Sequence, residues 1–167
     1  SAVKDKILIS EDFIKKLHNF VLRGDEEAGQ YRKIQNYVGD MFSVKFTPCP
    51  PSEVSEKMNR YVYELKNDLV ENASIKEQDN PDWVFYNLAK HHVEFEKIHP
   101  FIDGNGRTGR LILIYEMIYI GLLPVDIRYE ERARYYAALA SYEDKEKYST
   151  RPESRFEPMA KLLAESE

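Results

Sequence analysis

The stretch HPFIDGNGRTGR, residues 99–110, decides how the rest of the chain is read. Gly104, Gly106 and Gly109 fit G-x-G-x-x-G, the dinucleotide-binding fingerprint. The run from Gly104 to Arg110 nearly fits the phosphate loop G-x-x-x-x-G-K-(S or T). A third reading treats His99, Asp103, Asn105, Arg107 and Arg110 as parts of one site.

The flanking sequence removes the first two. A dinucleotide fingerprint follows a strand, sits in a βαβ unit and has an acid about 20 residues later. Here residues 81–98 read as a helix. Pro81 suits its first turn, Trp83, Leu88, Val93 and Phe95 supply apolar surface, and Pro100 disfavours helix at His99. Leu111 to Ile120 are apolar nearly all round, which predicts a central buried helix ended by Gly121 and Pro124. The phosphate loop needs a Lys for the phosphates and a Ser or Thr hydroxyl for magnesium. Arg110 and Leu111 stand there, and Leu cannot ligate a metal.

The third reading uses every residue. A tight turn over Gly104 to Thr108, followed by a helix, offers free backbone N–H groups and a positive dipole end to an anion. Arg107 and Arg110 are three apart, so they share a face and can clamp phosphate oxygens. Asp103 supplies the single hard oxygen that Mg²⁺ on a polyphosphate requires. His99 titrates near neutrality and is the natural general base. Together they point to phosphoryl or nucleotidyl transfer.

The remaining pattern is helical. Residues 10–23 form an amphipathic helix capped by Ser10, with Phe13, Ile14, Leu17, Phe20 and Val21 on one side and Gly24 after it. Ser52 is expected to cap a helix over 52–71. Two more helices are expected over 128–141 and 155–165. His91 and His92 read as helix surface or core polar contacts. Between Asp40 and Thr47, Phe42, Val44 and Phe46 alternate with polar residues, as in a strand that pairs with itself or with a bound peptide. The fold class is therefore all-α, about six helices with one short β element.

Size and charge agree with a single domain over 1–167. Of 167 residues 43% are hydrophobic and 32% charged, so the chain can bury a core and remain globular. The net charge of −5 argues against a general nucleic-acid binder. No apolar run reaches the length of a membrane span. Cys49 is the only cysteine, which excludes an internal disulfide and makes a reducing cytosol the default. The start at Ser1 rather than Met is expected to be either a processed or an engineered one, with sequence missing upstream.

The stretch resembles the Fic motif H-x-F-x-(D or E)-G-N-G-R-x-x-R at each fixed position: His99, Phe101, Asp103, Gly104, Asn105, Gly106, Arg107 and Arg110. IKKLH near the start, GQYR at 29–32, the strand with its prolines, the 52–71 helix and RYYAAL at 134–139 follow in the order typical of that family, so the resemblance covers about 10–165. It implies a Fic-like helical bundle with a β-hairpin flap, here about 38–50, beside an active-site loop at 99–110. It implies transfer of AMP from ATP to a Ser, Thr or Tyr hydroxyl of a target protein. His99 would deprotonate that hydroxyl, Asp103 would hold Mg²⁺, and Gly104, Asn105 and Gly106 would hold phosphates. Arg107 would grip the β-phosphate side and Arg110 the γ-phosphate. Phe42, Val44 and Phe46 would dock a target segment by strand addition. Tyr135 or Tyr136 is a candidate neighbour of the adenine.

Many relatives carry an inhibitory (S or T)-x-x-x-E-(G or N) helix. Ser52 to Glu56 and Ser149 to Glu153 each miss the last position. The chain is therefore expected to be active as it stands; an inhibitory segment, where one exists, is expected on an antitoxin-like partner or on sequence upstream. Other outcomes compatible with the same residues are a different nucleotide, removal of AMP, or a nucleotide-binding interaction module that depends on a partner. The expected location is cytoplasmic, or a host cytosol for a delivered effector. Target, nucleotide preference and oligomeric state are not readable from the residues.

Overall fold

A computed structural model describes residues 8–39, 44–74, 81–125, 127–141 and 152–166, with some side chains at their edges left undescribed. Among the described residues six helices follow in chain order: α1 Glu11–Val21, α2 Val54–Ser74, α3 Pro81–Ile98, α4 Asn105–Ile120, α5 Arg132–Ala140 and α6 Glu157–Ser166. Two short strands, β1 Val38–Gly39 and β2 Val44–Phe46, lie between α1 and α2.

Local signals explain most boundaries. The Ser10 hydroxyl accepts from the Phe13 N–H at 3.1 Å, and Glu11 and Asp12 occupy the positive end of α1. α3 spans the predicted residues and stops at His99, whose N–H still bonds to Phe95 O at 3.0 Å. Ser52 does not cap α2. Pro51 opens a single 3₁₀ turn, Pro51–Glu53, because its fixed φ starts the helical path before the serine. Similar short turns, Tyr129–Glu131 and Pro152–Phe156, lead into α5 and α6.

α4 begins earlier than expected. Gly104 alone takes a left-handed conformation, φ 76°, and helix runs from the next residue, so no turn extends to Thr108. One positive-φ residue suffices to redirect the chain, and only glycine takes it without strain. Nor is α4 buried all round. Ile112, Leu113, Glu116 and Met117 face inward, whereas Ile118 is 58% exposed.

α3 and α4 pack together at the centre and feed two core clusters. Leu88, Val93, Leu113 and Met117 join Met159 and Leu162 of α6. Phe95 and Ile112 join Ile14, Met58, Leu65, Leu69 and Phe101 on the other side. His91, fully buried on α3, bridges its neighbours: Nδ1 lies 2.6 Å from Glu116 on α4 and Nε2 2.8 Å from Asp68 on α2. Burial opposes charge on His91, but the two carboxylates outweigh it and push the imidazole up to about 9.

The third glycine of the quoted stretch makes this packing close. A Cβ on Gly109 would run into Glu96 Oε1 and stand 3.0 Å from Phe95 Cδ1. Gly109→Ala should destabilise the fold by about 1–3 kcal/mol through overpacking. Urea unfolding would register this as a lower midpoint at unchanged slope.

The β element pairs with itself. Val38 opposes Phe46 and Gly39 opposes Val44, antiparallel, with an irregularity between Val38 and Gly39. Phe42 and the Val44 side chain lie outside the described residues. No helix among the described residues is long and apolar enough to cross a membrane.

Candidate active site

The 99–104 backbone is fixed from three sides. Arg32, 2% exposed, donates Nε–H to His99 O at 2.8 Å and Nη2–H to Ile98 O at 3.3 Å. Its backbone N–H bonds to Pro100 O at 2.9 Å, and its guanidinium also reaches Ile34 O and Cys49 O near the flap. One residue thus holds three successive carbonyls, two through its buried guanidinium and one through its backbone N–H, and ties them to residues on both sides of the hairpin. His18 of α1 secures the far end. Its Nδ1 accepts from Gly29 N–H at 2.8 Å, so Nε2 carries the proton and donates to Asp103 O at 2.8 Å. The same ring stacks on Phe101, centroids 3.7 Å apart and planes within 3°.

Asn105 supplies the third hold. Its Oδ1 accepts from Phe101 N–H at 2.9 Å and its Nδ2 donates to Phe101 O at 2.8 Å. With the residue 2% exposed, this carboxamide is committed to the loop. What Asn105 offers an anion is its backbone N–H. The first ladder bond of α4 runs from Thr108 N–H to Gly104 O at 3.0 Å. The N–H groups of Asn105, Gly106 and Arg107 therefore precede the ladder.

His99 has φ 50°, a left-handed backbone held in place by Arg32. Its Nδ1–H donates to Glu96 O at 3.1 Å, which leaves the Nε2 lone pair unused. Burial drives the imidazole down to about 4, helped by the Arg32 charge and opposed by the bond to Glu96 O and by Asp103. At neutral pH it is an uncharged ring with one free lone pair, as a proton acceptor requires. The Phe46 ring of β2 meets it edge-on at 6.1 Å.

These groups line a cavity of about 1130 Å³. His99 and Asp103 stand with Gly104, Asn105 and Gly106 at one side, and Arg107 and Arg110 beside them. Asp103 Oδ2 is 3.6 Å from an Arg107 nitrogen, and Oδ1 accepts from Gly104 N–H at 2.6 Å. Arg110 bonds to the Tyr135 hydroxyl, which also meets Nε2 of buried His92 at 2.8 Å. Tyr136, exposed, lines the same cavity. Among the described residues no cluster of three His, Cys, Asp or Glu could cage an ion. One solvent-facing carboxylate beside two arginines and a helix N-terminus fits Mg²⁺ whose other ligands are phosphate and water.

The loop therefore brings together the quoted site residues and adds four that sequence reasoning did not assign: His18, Arg32, Asn36 and Glu96. Asn36 Nδ2 donates to Phe101 O at 3.0 Å. His18 and Arg32 fall in IKKLH and GQYR, segments that stood out without a role. Nothing local distinguishes Asn36 or Glu96 from other polar residues.

The model of the Fic/DOC family matches residues 8–117. A protein adenylyltransferase fic-1 of Caenorhabditis briggsae is 38% identical over 139 residues, covering 78% of this chain and 24% of that protein. A probable protein adenylyltransferase of Aquifex aeolicus is 32% identical, covering 82% and 38%. The chain thus spans well under half the length of these curated relatives. A Fic domain-containing signalling protein of Bacteroides thetaiotaomicron superposes with a TM-score of 0.80 at 22% identity, over 98% of this chain and 61% of that one. Fic-1 of Caenorhabditis elegans follows at 0.69 and 29%, over 95% and 40%. The family match runs from ahead of α1 into α4, through the pinned loop and both residues that hold its ends, and the chain belongs to the Fic/DOC family.

Proposed function

We propose that this chain transfers AMP from Mg²⁺-ATP to a Ser, Thr or Tyr hydroxyl of a target protein, with His99 as general base. The observation that carries this reading is the His99 ring. Its Nδ1 is committed to Glu96 O, and the remaining nitrogen belongs to a group lining the same cavity as Arg107 and Arg110. The names of the relatives, protein adenylyltransferases, support the same class of reaction.

The hydroxyl oxygen attacks the α-phosphorus in line as its proton passes to His99 Nε2. The bond to the bridging oxygen breaks and pyrophosphate leaves. Charge grows on the departing group, where Arg107 holds the β-phosphate side, Arg110 the γ-phosphate, and the N–H groups of Asn105 and Gly106 face oxygens. Asp103 would hold Mg²⁺, which supplies further neutralisation of phosphate charge. Positioning carries much of the rate, so a loop pinned at Ile98, His99, Pro100, Phe101 and Asp103 is suited to it. Tyr136 offers a ring face for the adenine. The β2 edge with Phe46 seats the target strand.

Incubation of the chain with cell lysate and ATP labelled at the α- or the γ-phosphate tests this reading. The expected result is protein bands carrying the α-label only, with AMP on hydroxyl side chains by mass spectrometry, abolished by EDTA. Transfer of the γ-label, or no label on any protein, would sink the proposal.

A further inference from the structure

Glu96 lies one turn before His99 on α3 and lines the same cavity. It is 6% exposed, and its Oε1 has no hydrogen-bond partner among the described residues. Its Oε2 is 3.9 Å from His99 Nδ1. The space that Oε1 occupies exists only because residue 109 is a glycine. A buried carboxylate without full hydrogen bonding is costly, and a neutral residue of similar shape would pack there at less expense. Packing therefore gives no reason for an acid at this position. Its nearness to the base does.

We propose that Glu96 is a positioning residue for His99: its carboxylate stabilises the imidazolium that forms as His99 takes the target's proton. This rests on the reading of His99 as general base. The chemistry follows from which group holds a proton. Burial pushes the Glu96 carboxyl up to about 7, against the pull of Arg110, while burial drives His99 down to about 4. In the resting protein between about pH 4 and pH 7 Glu96 is protonated and His99 is neutral. Above about 7 Glu96 carries a charge close to Nδ1, and the imidazolium of the transition state gains an anion. Activity limited by proton transfer should therefore rise as pH increases through about 7.

Among the described residues Arg110 is the cation that competes for this charge. On α3 itself His92 is held neutral by burial, down to about 4, and the Lys97 ammonium lies 4.0 Å over the Phe46 ring. From α4 Arg110 faces Glu96, from α5 the Tyr135 hydroxyl, and from α2 the buried Tyr61 hydroxyl. Toward His99, Arg32 disfavours the imidazolium and Asp103 favours it.

The test compares wild type with Glu96→Gln, which keeps the shape, and Glu96→Asp, which keeps the charge. Two readouts separate this proposal from the transfer reading. In the first, ¹⁵N-labelled histidine is followed by NMR, with His99 assigned through His99→Asn. The wild-type His99 signal should show a small step near pH 7, with the ring still neutral, as it senses Glu96 ionise. The step should vanish in Glu96→Gln and persist in Glu96→Asp. In the second, kcat for AMP transfer should rise through about pH 7 in wild type. Glu96→Gln should flatten the profile, with kcat at pH 8 about tenfold lower and KM for ATP changed less than about threefold. A step that survives in Glu96→Gln, or is missing in wild type, overturns the proposal. So does an equal loss at every pH with a lower melting temperature. A wild-type chain that transfers nothing counts against the transfer reading, and the NMR step still decides the role of Glu96.

Discussion

Replacing His99 with asparagine should reduce AMP transfer by about 10²–10⁴-fold, the usual worth of a positioned base. Asparagine is the sharper substitution because residue 99 has φ 50°, and Asn tolerates that conformation better than Ala does. Its carboxamide has no basic lone pair, so the backbone stays and the chemistry goes. The loss should fall on kcat, since in the proposed mechanism His99 takes the target's proton and does not hold the phosphates. Single-turnover transfer of α-labelled AMP, alongside ATP affinity by calorimetry, separates the two. Retention of rate within about fivefold of wild type would mean that the proton leaves by another route and that nucleophile positioning dominates.

Arg32→Ala should be nearly as damaging, although Arg32 is not among the residues expected to meet ATP. Its removal strips hydrogen bonds from Ile98 O in a buried setting and from His99 O, Ile34 O and Cys49 O in partly buried ones. Buried carbonyls left without donors cost about 1–3 kcal/mol each in the worst case, and relaxation recovers part, so a net loss of about 3 kcal/mol is expected. The melting temperature should fall by about 6–12 °C for a domain of this size. Below the transition, with helical circular dichroism intact, kcat should still fall about 10²-fold, because a base displaced by an ångström loses most of its alignment. Arg32→Lys should rescue stability partly and rate poorly, since one ammonium cannot span carbonyls on both the loop and the flap base. Normal kcat in a folded Arg32→Ala protein would show that the loop holds its shape without the guanidinium.

The two substitutions also mark what was legible in the residues. That His99, Asp103, Arg107 and Arg110 would share one cavity was readable, because so many charged and polar groups within twelve residues suit a charged ligand. Arg32 stood in a recognisable segment, GQYR, but the loop carbonyls its guanidinium holds lie 66 and 67 residues away, and carbonyls have no sequence signature. Asn105 was legible as a site residue, while its task differed from the expectation: the side chain holds Phe101 and the backbone faces the cavity. Glu96 looked like any acid on an amphipathic helix. Only the approach of α4, permitted by Gly109, makes it a buried carboxylate beside the base.

Element type followed from periodicity and caps because those effects act within a few residues: Ser10 at the start of α1, Pro81 at the start of α3, Pro100 at its end. The start of α4 at Asn105 and the exposure of Ile118 did not, since both depend on which neighbour covers which face. The sequence by itself determined an all-helical chain with a short strand pair, and a loop whose charges call for a phosphate ligand. Tertiary structure decided which groups hold that loop, which nitrogen of His99 is free, and which acid stands behind it. Hydrogen bonds to distant carbonyls and the burial of charge are set by packing across helices, and packing across helices leaves no periodic trace in the order of residues.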